Sequence, residues 1–388
     1  MKIQKAVRMQ NFQQNIFSEM ADYKNKKISE GMDIIDLSVG SPDLPPPQFI
    51  IDALSKSVTN PNMYGYALKG IKEFHEGVQE YYQKNHSVHL DRDKEILSLM
   101  GSQDGLVHLP MVICDPGDVI LVPDPGYTAY AAGAALAGAE MYSMPLKKEN
   151  QYLPVFNEIP ENICEKAKLM ILNFPGNPIP GMATKGFFEE AITFAKKHNI
   201  VILHDFAYCE LYYEEKPLSF LSVEGAKEVG IEMNSLSKSF NMAGCRVAYA
   251  AGNEEIIALL GNLKSNLDYG VFLPIQLAAV HALRDQSDFL EKSRSIYRKR
   301  RDTLVDGFNN IGWQVDSPKA SMFMWAEVPS HYTSKQFALE LLDTAGVVVT
   351  PGNAFGKWGE GFVRVALVQP EETLLIALEK LRESKIFL

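Results

Sequence analysis

The chain has 388 residues, with 38 Lys and Arg side chains against 48 Asp and Glu side chains, so its formal net charge is −10. This acidic balance argues against nucleic acid as a partner, because phosphate backbones are bound by basic surfaces. The four cysteines are scattered without a Cys-x-x-Cys pair, which argues against a disulfide scaffold or a zinc ribbon. We expect no metal site and a reducing, cytoplasmic environment.

The N-terminal sequence lacks the apolar stretch of a secretory signal. The longest run of small apolar residues, 129–139, is about half of the roughly 20 residues that a membrane-spanning helix needs. It predicts a buried helix, and we expect no membrane partner. The polar, amphipathic segment up to about Lys27 predicts a helix that lies on the body of the protein.

Short apolar runs alternate with helical stretches through the middle of the chain. The runs lie at 119–122, 169–172, 200–203, 231–234 and 247–251. Several are apolar throughout, as in strands of a parallel sheet that is covered on both faces. Thr184 predicts an N-cap for a helix over 185–197. The order of elements predicts an α/β doubly wound fold with a mostly parallel sheet flanked by helices.

Two changes in composition predict the domain boundaries. The three prolines at 45–47 cannot lie inside a helix or a central strand, so they predict a rigid loop or linker. From about Asp288 a long charged helix follows, and its basic run 298–301 predicts a solvated helix face. We predict an N-terminal segment 1–47, a large domain 48–287 and a small domain 288–388. The N-terminal segment joins the small α+β domain.

Polar side chains follow three of the predicted strands. Asn173 follows the run at 169–172, Asp205 follows the run at 200–203, and Lys238 lies shortly after the run at 231–234. Ligands of open α/β sheets bind beyond the carboxyl ends of the strands, so these side chains should share one site. A single Asp there is more often a helix cap and a single Lys a surface group. The joint pattern therefore carries the prediction.

The order and spacing of these motifs resemble the class I/II aminotransferases of fold type I, which depend on pyridoxal phosphate (PLP). The resemblance extends over nearly the whole chain. The motifs are 37–43 (LSVGSPD), 101–106 (GSQDGL), 116–127 (PGDVILVPDPGY), 173–178 (NFPGNP), 205–208 (DFAY), 235–246 (SLSKSFNMAGCR) and 361–364 (GFVR). The resemblance implies a large PLP-binding domain and a homodimer with composite active sites. It also implies a ping-pong transfer of an α-amino group between an amino acid and a 2-oxo acid.

Three catalytic residues are implied by this resemblance. Lys238 matches the primary amine that condenses with the cofactor aldehyde. Asp205 supplies an anion that raises the pKa of the pyridine nitrogen and keeps it protonated. Tyr208, together with Asn177, matches the donors to the phenolic oxygen of the cofactor.

The remaining site residues follow from the same resemblance. A phosphate dianion needs backbone N–H groups at a helix N-terminus, hydroxyl groups and a cation, and an aromatic ring needs a flat cover. The expected cofactor-binding residues are Gly101, Ser102, Gln103, Tyr127, Ser235, Ser237 and Arg246. Arg364 matches the arginine that pairs with the substrate α-carboxylate, and Gly40 and Asn177 complete the expected substrate site. Tyr64 and Tyr66 compete as the tyrosine that reaches the cofactor phosphate of a second subunit.

The substrate and two rival functions stay open on the sequence alone. The local motifs resemble the branch that acts on LL-diaminopimelate or aspartate, although 268–274 lacks a second arginine for a distal carboxylate. One rival is a PLP-dependent C–S β-lyase of the cystathionine type, which Lys238 and Arg364 would serve equally well. The other is a non-catalytic PLP-binding regulator. It is less expected, because about 30 residues before the first strand leave no room for the helix-turn-helix domain that such regulators usually carry.

Overall fold

The computed structural model describes residues 3–6, 9, 12 and 16–387. The strands are β1 Ile35–Asp36, β2 Ile96–Leu99, β3 Val119–Asp124, β4 Glu140–Pro145, β5 Ala167–Leu172, β6 Val201–Asp205, β7 Gly230–Ser235, β8 Ala248–Gly252, β9 Phe323–Glu327, β10 Val347–Val348, β11 Thr350–Pro351 and β12 Phe362–Ala366. The helices are α1 Ile16–Ser29, α2 Gln48–Val58, α3 Lys72–His86, α4 Ser102–Ile113, α5 Ala129–Ala137, α6 Glu161–Cys164, α7 Lys185–His198, α8 Ala226–Val229, α9 Leu236–Ser239, α10 Glu254–Lys264, α11 Leu273–Leu283, α12 Phe289–Asn310, α13 Ser334–Ala345 and α14 Glu371–Ser384. None of these helices is long and apolar enough to span a bilayer.

The main sheet has seven strands in the order β2-β8-β7-β6-β5-β3-β4. Strands β7, β6, β5, β3 and β4 pair in parallel, and β8 runs antiparallel to both of its neighbours. Alternate residues of one strand enter different apolar cores: Met170 packs in one cluster, and Leu169 and Ile171 in another. The sheet is therefore covered on both faces, which explains the continuous apolar runs. The predicted mostly parallel α/β fold is confirmed.

Local sequence signals set the ends of α7. The Thr184 hydroxyl accepts a hydrogen bond from the backbone N–H of Phe187 at 3.2 Å, as an N-cap does. Asn199 ends the helix in the left-handed conformation. The Ala-rich run at 129–139 likewise forms α5, and α1 forms within the predicted N-terminal helical segment. The earlier part of that segment lies mostly outside the described residues.

The two ends of the chain meet in a smaller body of structure. β1 pairs in parallel with β10, and β9, β12 and β11 form an antiparallel sheet. Leu37 from the N-terminal segment packs in one apolar cluster with residues of the C-terminal part. This agrees with a small α+β domain built from both ends. The boundaries at 47 and 287 stay predictions.

The prediction that the basic run 298–301 is a solvated helix face was wrong for two of its arginines. Arg300 and Arg301 are 4% and 7% exposed. Arg300 donates to both carboxylate oxygens of Asp43 at 2.7 Å, and Arg301 donates to Glu214 at 2.8 Å. A guanidinium group tolerates burial when a carboxylate matches its planar array of donors. Arg300 thereby fixes α12 against the loop that follows Gly40.

Candidate active site

A cavity of about 370 Å³ opens where β5, β6 and β7 end. The parallel pairing brings the residues that follow these strands to one edge of the sheet. Eight of the residues proposed from the sequence line the cavity, namely Gly40, Ser102, Tyr127, Asn177, Asp205, Tyr208, Lys238 and Arg364. Gly101, Gln103, Ser235, Ser237 and Arg246 are not in its lining, and neither are Tyr64 and Tyr66.

Asp205 ends β6 as a buried carboxylate with only one oxygen satisfied. Its Oδ2 accepts a hydrogen bond from the hydroxyl of Tyr130 at 2.9 Å, whereas Oδ1 has no partner among the described residues. Burial raises the pKa of this carboxyl group. Asn173 donates to the Asp205 backbone carbonyl at 2.7 Å and holds the strand end in place. A buried, unpaired acceptor is costly, so the site is built to receive a donor.

Lys238 extends from the short helix α9 into the same cavity. Its Nζ donates to the backbone carbonyl of Gly40 at 2.6 Å and lies 5.9 Å from the centroid of the Tyr208 ring. Burial, together with the smaller effect of the positive charges of Arg364 and Arg246, lowers the pKa of Lys238 from 10.5 to about 8. A lysine with a lowered pKa holds more neutral amine near pH 7, and that form is the nucleophile.

Arg364 is a buried cation that has no ion-pair partner in the part of the chain that the structure describes. One guanidinium nitrogen donates to Oδ1 of Asn177 at 2.8 Å, and another to the Ser38 carbonyl at 2.6 Å. Its guanidinium carbon lies 4.3 Å from the Phe323 ring centroid and 4.8 Å from that of Phe355. Burial lowers its pKa to about 10. An unpaired buried guanidinium next to a cavity is suited to bind a carboxylate.

The predicted phosphate site lies at the N-terminus of α4. Gly101 has a φ of +81°, and a Cβ atom at this position would collide with the Arg246 guanidinium group. Glycine is therefore required both for the backbone conformation and for the close approach of the arginine. Ser102 begins α4, where backbone N–H groups have no helical partner. Gln103 accepts a hydrogen bond from the Tyr127 hydroxyl at 3.4 Å.

Two serines of the predicted site, Ser235 and Ser237, form a hydrogen bond that stabilises the start of α9. The side chain of Ser235 accepts from the backbone N–H of Ser237 at 3.2 Å and caps α9, the helix that carries Lys238. Both serines are buried. A role for them in phosphate binding stays a prediction.

Tyr64 and Tyr66 lie on the surface, outside the cavity, and are 63% and 85% exposed. Tyr64 packs against Phe272 with a centroid distance of 5.4 Å, and Tyr66 packs against Tyr269 at 5.2 Å. The Tyr64 hydroxyl donates to the carbonyl of its own Val58 at 2.8 Å. Tyr66 makes no such bond among the described residues.

Several residues of the site have roles that the sequence does not indicate. Tyr130 donates to one of the two carboxylate oxygens of Asp205, but its position in an alanine-rich helix indicates only packing. Asn173 is expected in the shared site, but not as the donor to the backbone carbonyl of Asp205. Phe17 and Phe355 form part of the cavity wall although 338 positions separate them in the sequence. No local pattern could have joined those two.

The residues present fit the cofactor that the resemblance implies. Oδ1 of Asp205 lacks the donor that a protonated ring nitrogen would supply. The start of α4 beside Gly101 and Arg246 offers N–H groups and a cation for a phosphate. Lys238 offers a primary amine of lowered pKa in the same cavity.

Comparisons with known proteins agree with this geometry. The sequence model of the family "Aminotransferase class I and II" matches residues 32–381. Among curated relatives, the LL-diaminopimelate aminotransferase of Halothermothrix orenii is 42% identical over 386 residues, which are 99% of each chain. The enzyme of the same name from Dehalococcoides mccartyi is 44% identical over 387 residues, again 99% of each chain.

Solved structures agree as well. Substrate-bound BacF from Bacillus subtilis superposes with a TM-score of 0.95 at 38% identity, covering 99% of this chain and 98% of that one. A probable N-succinyldiaminopimelate aminotransferase from Thermus thermophilus gives a TM-score of 0.91 at 36% identity, covering 95% and 99%. The aminotransferase prediction is confirmed, and these findings do not favour the β-lyase alternative. The chain belongs to the class I and II aminotransferases and is a PLP-dependent transaminase of fold type I.

Proposed function

We propose that Lys238, Asp205 and Tyr208 are the catalytic residues of this transaminase, which moves an α-amino group between an amino acid and a 2-oxo acid in ping-pong order. One observation carries the proposal. The unpaired oxygen of Asp205 and the lysine amine of lowered pKa belong to one cavity, which Arg364 also lines. The cofactor would supply a hydrogen-bond donor for Asp205 and an aldehyde for the amine of Lys238, and the substrate would supply a carboxylate for Arg364.

The bound cofactor supplies a ring that delocalises the electron pair left when the substrate α-proton is removed. Lys238 takes up that proton at Nζ and later returns it, because a pKa of about 8 lets the amine exist in both forms near neutral pH. Asp205 accepts a hydrogen bond at Oδ1, while Tyr130 holds its other oxygen. Tyr208 and Asn177 donate to the phenolic oxygen.

Other side chains would fix the positions of the two bound molecules. Arg364 pairs with the α-carboxylate of the substrate next to Asn177 and Gly40. Gly101, Ser102 and Arg246 would hold the phosphate at the start of α4. Gln103, Ser235 and Ser237 complete the proposed cofactor site, and Tyr127 covers the ring.

The curated relatives are named for LL-diaminopimelate, which supports this amino acid, aspartate or a related one as a candidate donor. We also propose a cytoplasmic location, which the four free cysteines support.

A homodimer with composite sites is proposed as well. The exposed aromatic pairs around Tyr64 and Tyr66 support an interface there. Tyr66 is the better candidate to reach the phosphate of a second subunit, because the Tyr64 hydroxyl already donates to its own chain.

Replacing Lys238 tests the catalytic assignment. Lys238→Ala should lose the visible absorbance of the lysine-bound cofactor and lower kcat roughly 10³-fold or more, because it removes the amine that moves the proton. Lys185→Ala is the matched control, since this lysine is 69% exposed on α7. Absorbance titration and a coupled keto-acid assay measure both effects. Wild-type turnover in Lys238→Ala would refute the assignment.

The lowered pKa of Lys238 has a consequence for stability in the cofactor-free protein. Below pH 8 the folded and unfolded chains both hold the lysine proton, and the buried charge lowers the free energy of unfolding. Between pH 8 and 10.5 only the unfolded chain holds it, so this destabilisation declines as the pH rises.

Lys238→Met should therefore unfold at a higher temperature than wild type at pH 7. Its advantage should shrink as the pH rises from 8 towards 10.5. Calorimetry across this range, with Lys185→Met as the control, measures the difference. A difference in unfolding temperature that stays constant with pH would mean that burial does not destabilise the charged form of Lys238.

The two surface tyrosines can be separated by removing one hydroxyl at a time. Tyr66→Phe should weaken PLP binding roughly tenfold, because a charge-assisted hydrogen bond to the phosphate is lost, whereas Tyr64→Phe should not. Fluorescence titration of PLP into the cofactor-free protein gives both affinities, and sedimentation velocity gives the oligomeric state. A monomer that binds PLP at full affinity would contradict the composite site.

A further inference from the structure

One part of the cavity wall is aromatic and comes from both ends of the chain. Phe17 of α1 and Phe355 pack edge to face, with ring centroids 5.3 Å apart and planes at 86°. The ring of Phe355 also lies 4.8 Å from the Arg364 guanidinium carbon. A substrate whose α-carboxylate pairs with Arg364 would therefore lie next to this aromatic pair.

Among the described residues, the cavity offers no spare positive charge for a second carboxylate. The charged lining residues in this part of the chain are Asp205, Lys238 and Arg364, and the proposed function already uses all three. An adjoining cavity of about 560 Å³ shares Tyr127 and Phe355 with the first. Among the described residues its lining contains no lysine or arginine. A distal carboxylate buried here would remain unpaired, which is costly.

The surface that the proposed dimer would use is also poor in cations. The segments 61–70 and 266–272, which carry the exposed aromatic pairs, contain Lys69 as their only cation. Tyr66, Tyr64 and Tyr269 are the most exposed of their large hydrophobic side chains, at 85%, 63% and 52% exposure. A second copy that used these segments to complete the site would mainly add aromatic surface.

We propose that Phe17 and Phe355 receive the side chain of the substrate. The enzyme accordingly prefers amino acids with a bulky apolar or aromatic side chain over those with a distal carboxylate. This inference departs from the candidate donors aspartate and LL-diaminopimelate that the names of the relatives support, and it keeps the proposed reaction and catalytic residues. Apolar burial against the two rings stabilises the preferred side chain, and an unpaired carboxylate opposes the other. This inference rests on the proposed function, of which it names the substrate class.

Half-reactions of the wild-type holoenzyme test the preference. Phenylalanine, leucine and methionine are each mixed with the enzyme, as are aspartate and LL-diaminopimelate, and the loss of the cofactor absorbance is followed by stopped flow. The apolar group should react with second-order constants roughly tenfold or more above the carboxylate group. The reverse order overturns the inference and leaves the proposed function intact. No reaction with any amino acid contradicts the proposed function itself.

Variants of Phe17 test whether the aromatic pair sets this preference. Phe17→Ala should lower kcat/KM for phenylalanine roughly tenfold while changing that for alanine little, because alanine cannot reach the wall. Phe17→Arg should raise kcat/KM for aspartate relative to phenylalanine, because it supplies the missing cation. Ile28→Ala is the control on the same helix, at a residue that is 51% exposed and outside the cavity. Equal losses for phenylalanine and alanine in Phe17→Ala, with no gain for aspartate in Phe17→Arg, would overturn the inference.

Discussion

The site depends on one buried carboxylate, and the fold provides a hydrogen-bond donor for only one of its two oxygens. Tyr130 donates to Oδ2 of Asp205, and Oδ1 is left without a donor among the described residues. In most proteins such a group would be paired, because a buried unpaired acceptor lowers stability. Here the unpaired oxygen lies at the end of a central strand, where a ligand can supply the missing donor and offset the loss of stability.

The charges around this carboxylate explain what else the site can bind. Lys238 and Arg364 line the same cavity, and Arg246 is close enough to lower the pKa of Lys238. One anion therefore faces three cations, which leaves a positive field for a phosphate and a substrate carboxylate. Burial first, and then the charges of the two arginines, keep the lysine amine partly neutral. The arginines thus contribute both to anion binding and to proton transfer.

Much of this arrangement could be predicted from the sequence, because it follows from strand ends. Apolar runs predict parallel strands, and Asp205 and Lys238 come after two neighbouring ones. Residues that depend on contacts between distant segments could not be found this way. Tyr130, Phe17 and Phe355 enter the site through the packing of helices and loops, for which no local spacing exists.

The basic run in α12 also shows that a local pattern does not report contacts with distant segments. Its arginines have the pattern of a solvated face, but Asp43 and Glu214 approach from distant segments and allow Arg300 and Arg301 to be buried. The choice between Tyr64 and Tyr66 also needed coordinates. Spacing could not separate them, whereas the hydrogen bond from Tyr64 to Val58 supports our proposal of Tyr66.

A crystal structure of the protein grown with PLP would test the central claim most directly. We expect Oδ1 of Asp205 to lie within about 3 Å of the ring nitrogen, with continuous density between Nζ of Lys238 and the cofactor. A cofactor bound at another place, or a ring nitrogen turned away from Asp205, would contradict it.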